Sequence, residues 1–222
     1  MQRALSLRMI TAFAFGLVAA AAWAQDFSAD IVNLSAASNT FHTRIFSTKN
    51  KLRFQGEDKA GRTNSIMIVN LAARTSMVLI PQQKQYIESK QPQIPGQGVT
   101  FFQAKDVENA CGEWQKMAQS EEGEKPEKGE KKEEIEKNKC QKAGHETVNG
   151  RDTVKYEDTA SKEAGSIWID AKLHFPVKWK NAVGAGELRN IKEEPQAAEL
   201  FAIPEGYTKR SFGSGTAKPT QQ

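Results

Sequence analysis

The chain is cut into short apolar or alternating runs by turn residues, and this punctuation limits its fold more than any other feature. β-Branched and aromatic residues gather in stretches of roughly four to eight, separated by Gly, Pro, Asn and Asp, as in strands joined by tight turns. Phe27 to Leu34, Phe41 to Ser47 and Lys51 to Gln55 are the first predicted strands. In the third, Leu52 and Phe54 alternate with Lys51, Arg53 and Gln55, which gives one dry face and one wet face. The loop Glu57-Asp58-Lys59-Ala60-Gly61 leads to strands Ser65 to Asn70 and Thr75 to Ile80. There Ile66-Met67-Ile68-Val69 and Met77-Val78-Leu79-Ile80 are apolar at every position, which predicts strands covered on both sides.

Gln85 to Glu88 follows the turn Pro81-Gln82-Gln83-Lys84, and Pro92, Pro95, Gly96 and Gly98 then break regular structure. Asp106 suits a helix N-cap, and Val107, Ala110, Cys111, Trp114 and Met117 recur at helical spacing on one face. From Gln119 to Lys139 the composition turns to Lys and Glu with almost no apolar residue but Ile135, so this stretch is expected to be an exposed excursion. Strands then resume: Glu146 to Tyr156, split by the hairpin signal Asn149-Gly150, then Ser166 to Asp170, Pro176 to Asn181 and Gly186 to Glu193. The segment Leu200 to Tyr207 reads as packed, and Gly213 to Gln222 as a loose tail. About ten antiparallel strands with a helix between them predict a mainly β (α+β) fold built on one strongly curved sheet.

The N-terminus has the layout of a secretory signal peptide: Arg3 and Arg8, the apolar run Met9 to Ala22, and small residues before a cleavage site between Ala24 and Gln25. Removal of 24 of the 222 residues leaves 198 (25–222), enough for one β domain spanning 25–212 and the tail from 213. The formal charge of +4 includes Arg3 and Arg8, so the mature chain carries only +2, too little to argue for nucleic acid or an anionic membrane. No later apolar stretch approaches the roughly 20 residues of a membrane-spanning helix. The expected location is the periplasm or the exterior, and Gln25 offers no thiol for a lipid anchor.

Cys111 and Cys140 are the only cysteines, and in an oxidising compartment an even pair reads as a disulfide stapling the base of the excursion. A metal site with His145 would need closer paired spacing. His42, His145 and His174 lie in no metal motif, no nucleophile elbow appears, and no glycine-rich phosphate loop follows a predicted strand. The expectation is therefore a protein without catalysis, cofactor or metal. The informative constellation is apolar, since a curved sheet has a concave face that side chains, a helix or a lipid-like ligand must fill. Its candidate lining is Arg53, Phe54, Met67, Val69, Met77, Leu79, Phe101, Phe102, Trp114 and Met117, and for each of these ordinary core packing is the competing reading.

Several fragments, in order, resemble the exported superfamily of outer-membrane lipoprotein carriers (LolA-like) and, within it, a bacterial family of domain-of-unknown-function type, DUF4412. They are Lys51-Leu52-Arg53-Phe54, Ile80 to Tyr86, Gly144 to Tyr156, Trp168-Ile169-Asp170, Leu173 to Lys178 and Phe201 to Tyr207. The resemblance implies a bent, incomplete barrel whose mouth is closed by helices and whose hollow shields acyl chains. Arg53 is the nearest equivalent of a strand arginine that helps hold the carriers' lid closed, with too little local match to carry that role across. The Lys/Glu-rich excursion departs from the carrier pattern. The expected function is that of an exported binding protein that takes a lipid or an acylated protein. The alternative is an interaction module that docks through residues 119–139.

Overall fold

The computed structural model describes residues 26–35, 42–90, 101–113, 140–159, 165–182 and 184–210. The predicted signal segment with Ala24 and Gln25, Trp114, Met117, the Lys/Glu-rich stretch and the predicted tail lie outside the described residues. The strands of the first half are β1 (Phe27–Asn33), β2 (His42–Ser47), β3 (Lys51–Glu57), β4 (Thr63–Asn70), β5 (Thr75–Ile80) and β6 (Gln85–Ser89). Those of the second half are β7 (Gln141–Val148), β8 (Arg151–Asp158), β9 (Gly165–Asp170), β10 (Pro176–Asn181), β11 (Ala185–Glu193) and β12 (Thr208–Lys209).

All twelve belong to one sheet in the order β12-β6-β5-β4-β3-β2-β1-β11-β10-β9-β8-β7. β12 and β7 are its two ends, so the sheet is not closed, as an incomplete barrel requires. Every neighbouring pair is antiparallel except β12, which runs parallel to β6. The first and last of the long strands meet through β1 and β11, whose register shifts between Ser28 and Asp30. Asn149 and Gly150, both at positive φ, make the two-residue turn between β7 and β8 that the Asn-Gly pair predicts.

The curvature follows from side-chain contacts. β3 and β10 stand four places apart in the sheet, which is about 19 Å if the sheet were flat. Yet the Phe101 ring lies 5.4 Å from Phe54 on β3 and 5.3 Å from Trp179 on β10, centroid to centroid. The sheet must wrap round that ring. Trp179 fits because its cross-strand partner is Gly186, where an added Cβ would come within 2.3 Å of the indole.

Two apolar clusters result, one on each face. The inner one joins Leu52, Phe54, Met67 and Val69 of β3 and β4 to Phe27, Ile45, Val154, Tyr156, Ile167, Phe175, Trp179 and Leu188. The outer one holds Ile66, Ile68, Leu79 and Phe201, flanked by half-buried Phe46, Met77, Tyr86, Leu200 and Tyr207. β4 is thus buried on both sides, as its unbroken apolar run predicts, and a different cover lies on each.

Three expectations shift. β7 begins at Gln141, five residues before its predicted start, because its exposed first half carries no apolar period. β12 was not predicted, since two residues paired to a distant strand leave no local pattern. Asp106 does cap a helical turn, accepting from the Glu108 amide, but the residues it starts, Val107–Asn109, form a 3-10 turn.

Candidate functional site

The inner face is filled by a strap, residues 101–110, that belongs to no strand. Phe101, Phe102, Ala104, Val107 and Ala110 are all buried in the inner cluster. Phe101 stacks nearly parallel on Phe175, 5.6 Å away and 10° from coplanar, and Phe175 meets Phe27 edge-on at 5.2 Å. Such pairs add to the area each ring removes from water.

Polar contacts fix the strap along its length. Gln103 donates through Nε2 to the Leu173 carbonyl at 3.1 Å, and the Ala104 amide donates to the His174 carbonyl at 2.8 Å. His174 Nδ1 returns to the Ala104 carbonyl at 3.0 Å. Near the other end the Tyr156 hydroxyl donates to the Val107 carbonyl at 2.6 Å and accepts from the Ala110 amide at 3.1 Å. Burial pushes that phenol's pKa up, partly offset by the Ala110 amide. Asn109 and the Glu108 amide hold the Asp106 carboxyl below the usual carboxylate range, so the cap stays ionised. Next to the strap, Cys111 is bonded to Cys140, with Cα atoms 5.7 Å apart, which ties it to the start of β7.

The turn that receives the strap is braced in turn. Asp170 accepts from the amides of Lys172 (2.9 Å) and Leu173 (2.7 Å), and its carboxylate is paired with Arg151. Hydrogen bonding to Asp170 raises the Arg151 pKa, with Glu193 adding to the effect.

The candidate lining residues separate by face. Phe54, Met67, Val69, Phe101 and Phe102 come together in the inner cluster. Leu79 and Met77 lie opposite Ile66 and Ile68 in register and belong with them to the outer cluster. Arg53, one residue from Phe54, is also outside: its Nη1 donates to the Leu200 carbonyl and its Nη2 to Gln55, both at 2.8 Å, while the buried Nε has no partner. Desolvation lowers the pKa of this guanidinium. Arg53 therefore pins the C-terminal segment on the outer face and does not touch the inner strap. The strand period alone separates Arg53 from Phe54, whereas nothing local marks the faces of an all-apolar run.

Among the described residues, two clefts open at the surface. One, about 410 Å³, is lined by Lys49, Asn50, Leu71, Ala72, Phe102, Gln103, Lys105 and Glu113. Phe102 is part of the inner cluster and half-buried Leu71 packs against it, so the cleft abuts the inner core. Its residues come from two strand turns and the strap, which is why no single motif announced them. The other cleft, about 560 Å³, lies on β1, β2 and β11 around Asp30, Arg44 and Asn190. Asp30 is bonded by Asn190 at 2.7 Å and faces His42 at 3.1 Å and Arg44 at 3.5 Å, so its charge is already matched. Among the described residues no three His, Cys, Asp or Glu side chains are placed to hold a metal, and no helix is long and apolar enough to cross a membrane.

No family model and no curated protein matches the sequence. Solved structures do. An uncharacterised conserved protein from Thermus thermophilus matches with a TM-score of 0.47 at 9% identity, over 83% of this chain and 90% of that one. MucB in complex with MucA(peri) matches with a TM-score of 0.42 at 12% identity, over 80% of this chain and 54% of that one. The LolA superfamily protein NE2245 from Nitrosomonas europaea matches with a TM-score of 0.32 at 11% identity, over 80% and 88%. At these scores the fold rests on the strand order and register given above, and the DUF4412 resemblance rests on its motifs alone.

Proposed function

We propose that this chain is an exported, non-catalytic binding protein that receives an acyl chain, free or attached to a partner protein, on the inner face of its bent sheet. One observation carries the reading: a separate strap fills the inner face, and the cluster it completes abuts the 410 Å³ cleft at Phe102. Displacing the strap's aromatic end would uncover Phe54, Phe175 and Trp179. The disulfide and the signal-peptide layout support export, and the ordered motifs shared with lipoprotein carriers support an acyl ligand.

The test is native mass spectrometry with lipid extraction on protein purified from its own envelope, together with titration of a fluorescent fatty acid. Co-purified lipid or saturable uptake is expected, and the absence of both overturns the reading. Deleting 119–139 with both cysteines kept separates it from docking through the charged excursion: lipid uptake should survive the deletion, whereas capture of a docked protein should not.

A further inference from the structure

Resting on that reading, we infer that the amphiphile this chain takes up has an anionic headgroup, held at the mouth of the inner cluster by Lys49 and Lys105. The two lysines line the 410 Å³ cleft from different segments, Lys49 from a strand turn and Lys105 from the strap. Lys49 belongs to the β2–β3 turn, which the Thr48 amide closes onto the Lys51 carbonyl at 2.9 Å. The neighbouring Asn50 carbonyl accepts from the Leu71 amide at 2.8 Å, so the wall carrying Lys49 and Leu71 is one braced unit. Lys105 follows Ala104, whose amide and carbonyl are both bonded to His174.

Both ammonium groups are uncommitted. The lysine ion pairs among the described residues use Lys142, Lys155, Lys172 and Lys209, and none uses Lys49 or Lys105. The cleft's single carboxylate, Glu113, accepts from the Lys105 backbone amide at 2.9 Å and leaves the lining with a net charge of +1. Two exposed cations thus flank an apolar floor of Leu71 and Phe102 that is continuous with the core. An uncharged headgroup would leave that charge unused. A carboxylate or phosphate on an acyl tail matches both features, the tail entering beside Phe102 and the anion lying between the lysines. The larger outer cleft differs in charge: Arg44 there already faces Asp30, and its second cation, Lys192, shares the lining with a second carboxylate, Glu194, so the lining is neutral.

The experiment titrates the full mature chain, and its Lys49→Gln/Lys105→Gln variant, with cis-parinaric acid and with its methyl ester. Lysophosphatidylglycerol against lysophosphatidylcholine repeats the comparison for a phosphate. Both substitutions are at exposed positions, and the variant's fold is checked by its thermal transition. The expected result is about tenfold tighter binding of the anionic member of at least one pair at low salt. That gap should shrink in about 0.5 M salt and nearly vanish in the variant, with the affinity for the neutral member unchanged. A preference in only one pair identifies the headgroup as carboxylate or phosphate. Equal affinities in both pairs, or an anionic preference that the variant keeps, overturn the headgroup assignment and leave acyl binding standing. Uptake of neither member of either pair overturns acyl binding itself.

Discussion

The two apolar faces of the sheet are each closed by a strap, and the straps are held by different physics. The inner one, residues 101–110, interlocks Phe101 with three aromatic side chains, is bonded to the Tyr156 hydroxyl, and is followed directly by the Cys111–Cys140 bridge. The outer one, residues 198–207, has a 3-10 turn at Ala198–Phe201, buries Phe201, takes a hydrogen bond from Arg53, and leads into the two-residue strand β12. A sheet that is apolar on both sides has to be covered twice, since an exposed face of Ile66, Ile68 and Leu79 would invite association. The inner cover is braced at one end by a covalent bond and ends, at Phe102, in an open cleft. The outer cover is a patch beside the sheet's edge.

The comparison can be broken by experiment. The largest effect is expected for Phe101→Ala, about 4 kcal/mol in urea unfolding, because the ring is fully enclosed and its neighbours are held by other contacts. Next comes Cys111→Ser/Cys140→Ser, at about 3.5 kcal/mol on the loop-entropy model for a separation of 29 residues, read as a drop in Tm. If the inner strap is the tethered one, that variant should also take up a fluorescent fatty acid faster. Phe201→Ala should cost about 3 kcal/mol, less than Phe101→Ala, because its half-buried neighbours Met77 and Tyr86 can close over the gap. A larger loss for Phe201 than for Phe101 would reverse the ranking of the two covers.

The polar anchors come last. Tyr156→Phe should cost about 2 kcal/mol, since it strands the Ala110 amide and the Val107 carbonyl inside the inner cluster. Arg53→Met should change stability by under about 1 kcal/mol, because losing the Leu200 bond is offset by removing a desolvated guanidinium whose Nε has no partner. A loss of several kcal/mol for Arg53→Met, measured by the same unfolding curves, would make the outer anchor the stronger one.

Much of this architecture was legible residue by residue. Thr75–Ile80 and Pro176–Asn181 coincide with the predicted strands because turn residues bound both. The Asn149-Gly150 turn and the Cys111–Cys140 bridge were legible for the same kind of reason: residue chemistry leaves each few alternatives. The face that each candidate lining residue takes was not legible for the all-apolar runs. Phe54, Met67 and Val69 do line the inner face, but Met77 and Leu79 look identical in sequence and face outward.

By itself, then, the sequence determined most of the strands, the mainly β architecture, the disulfide and the need for cover on both sides of β4, because each follows from local periodicity or from one residue's chemistry. The tertiary structure decided which residues serve as the two covers, that Arg53 anchors the outer one, and that Lys49, Leu71, Phe102 and Lys105 meet at one cleft. Those facts depend on how far the sheet bends and on pairings between distant segments. Such contacts are set by global packing, and they leave no period in the chain.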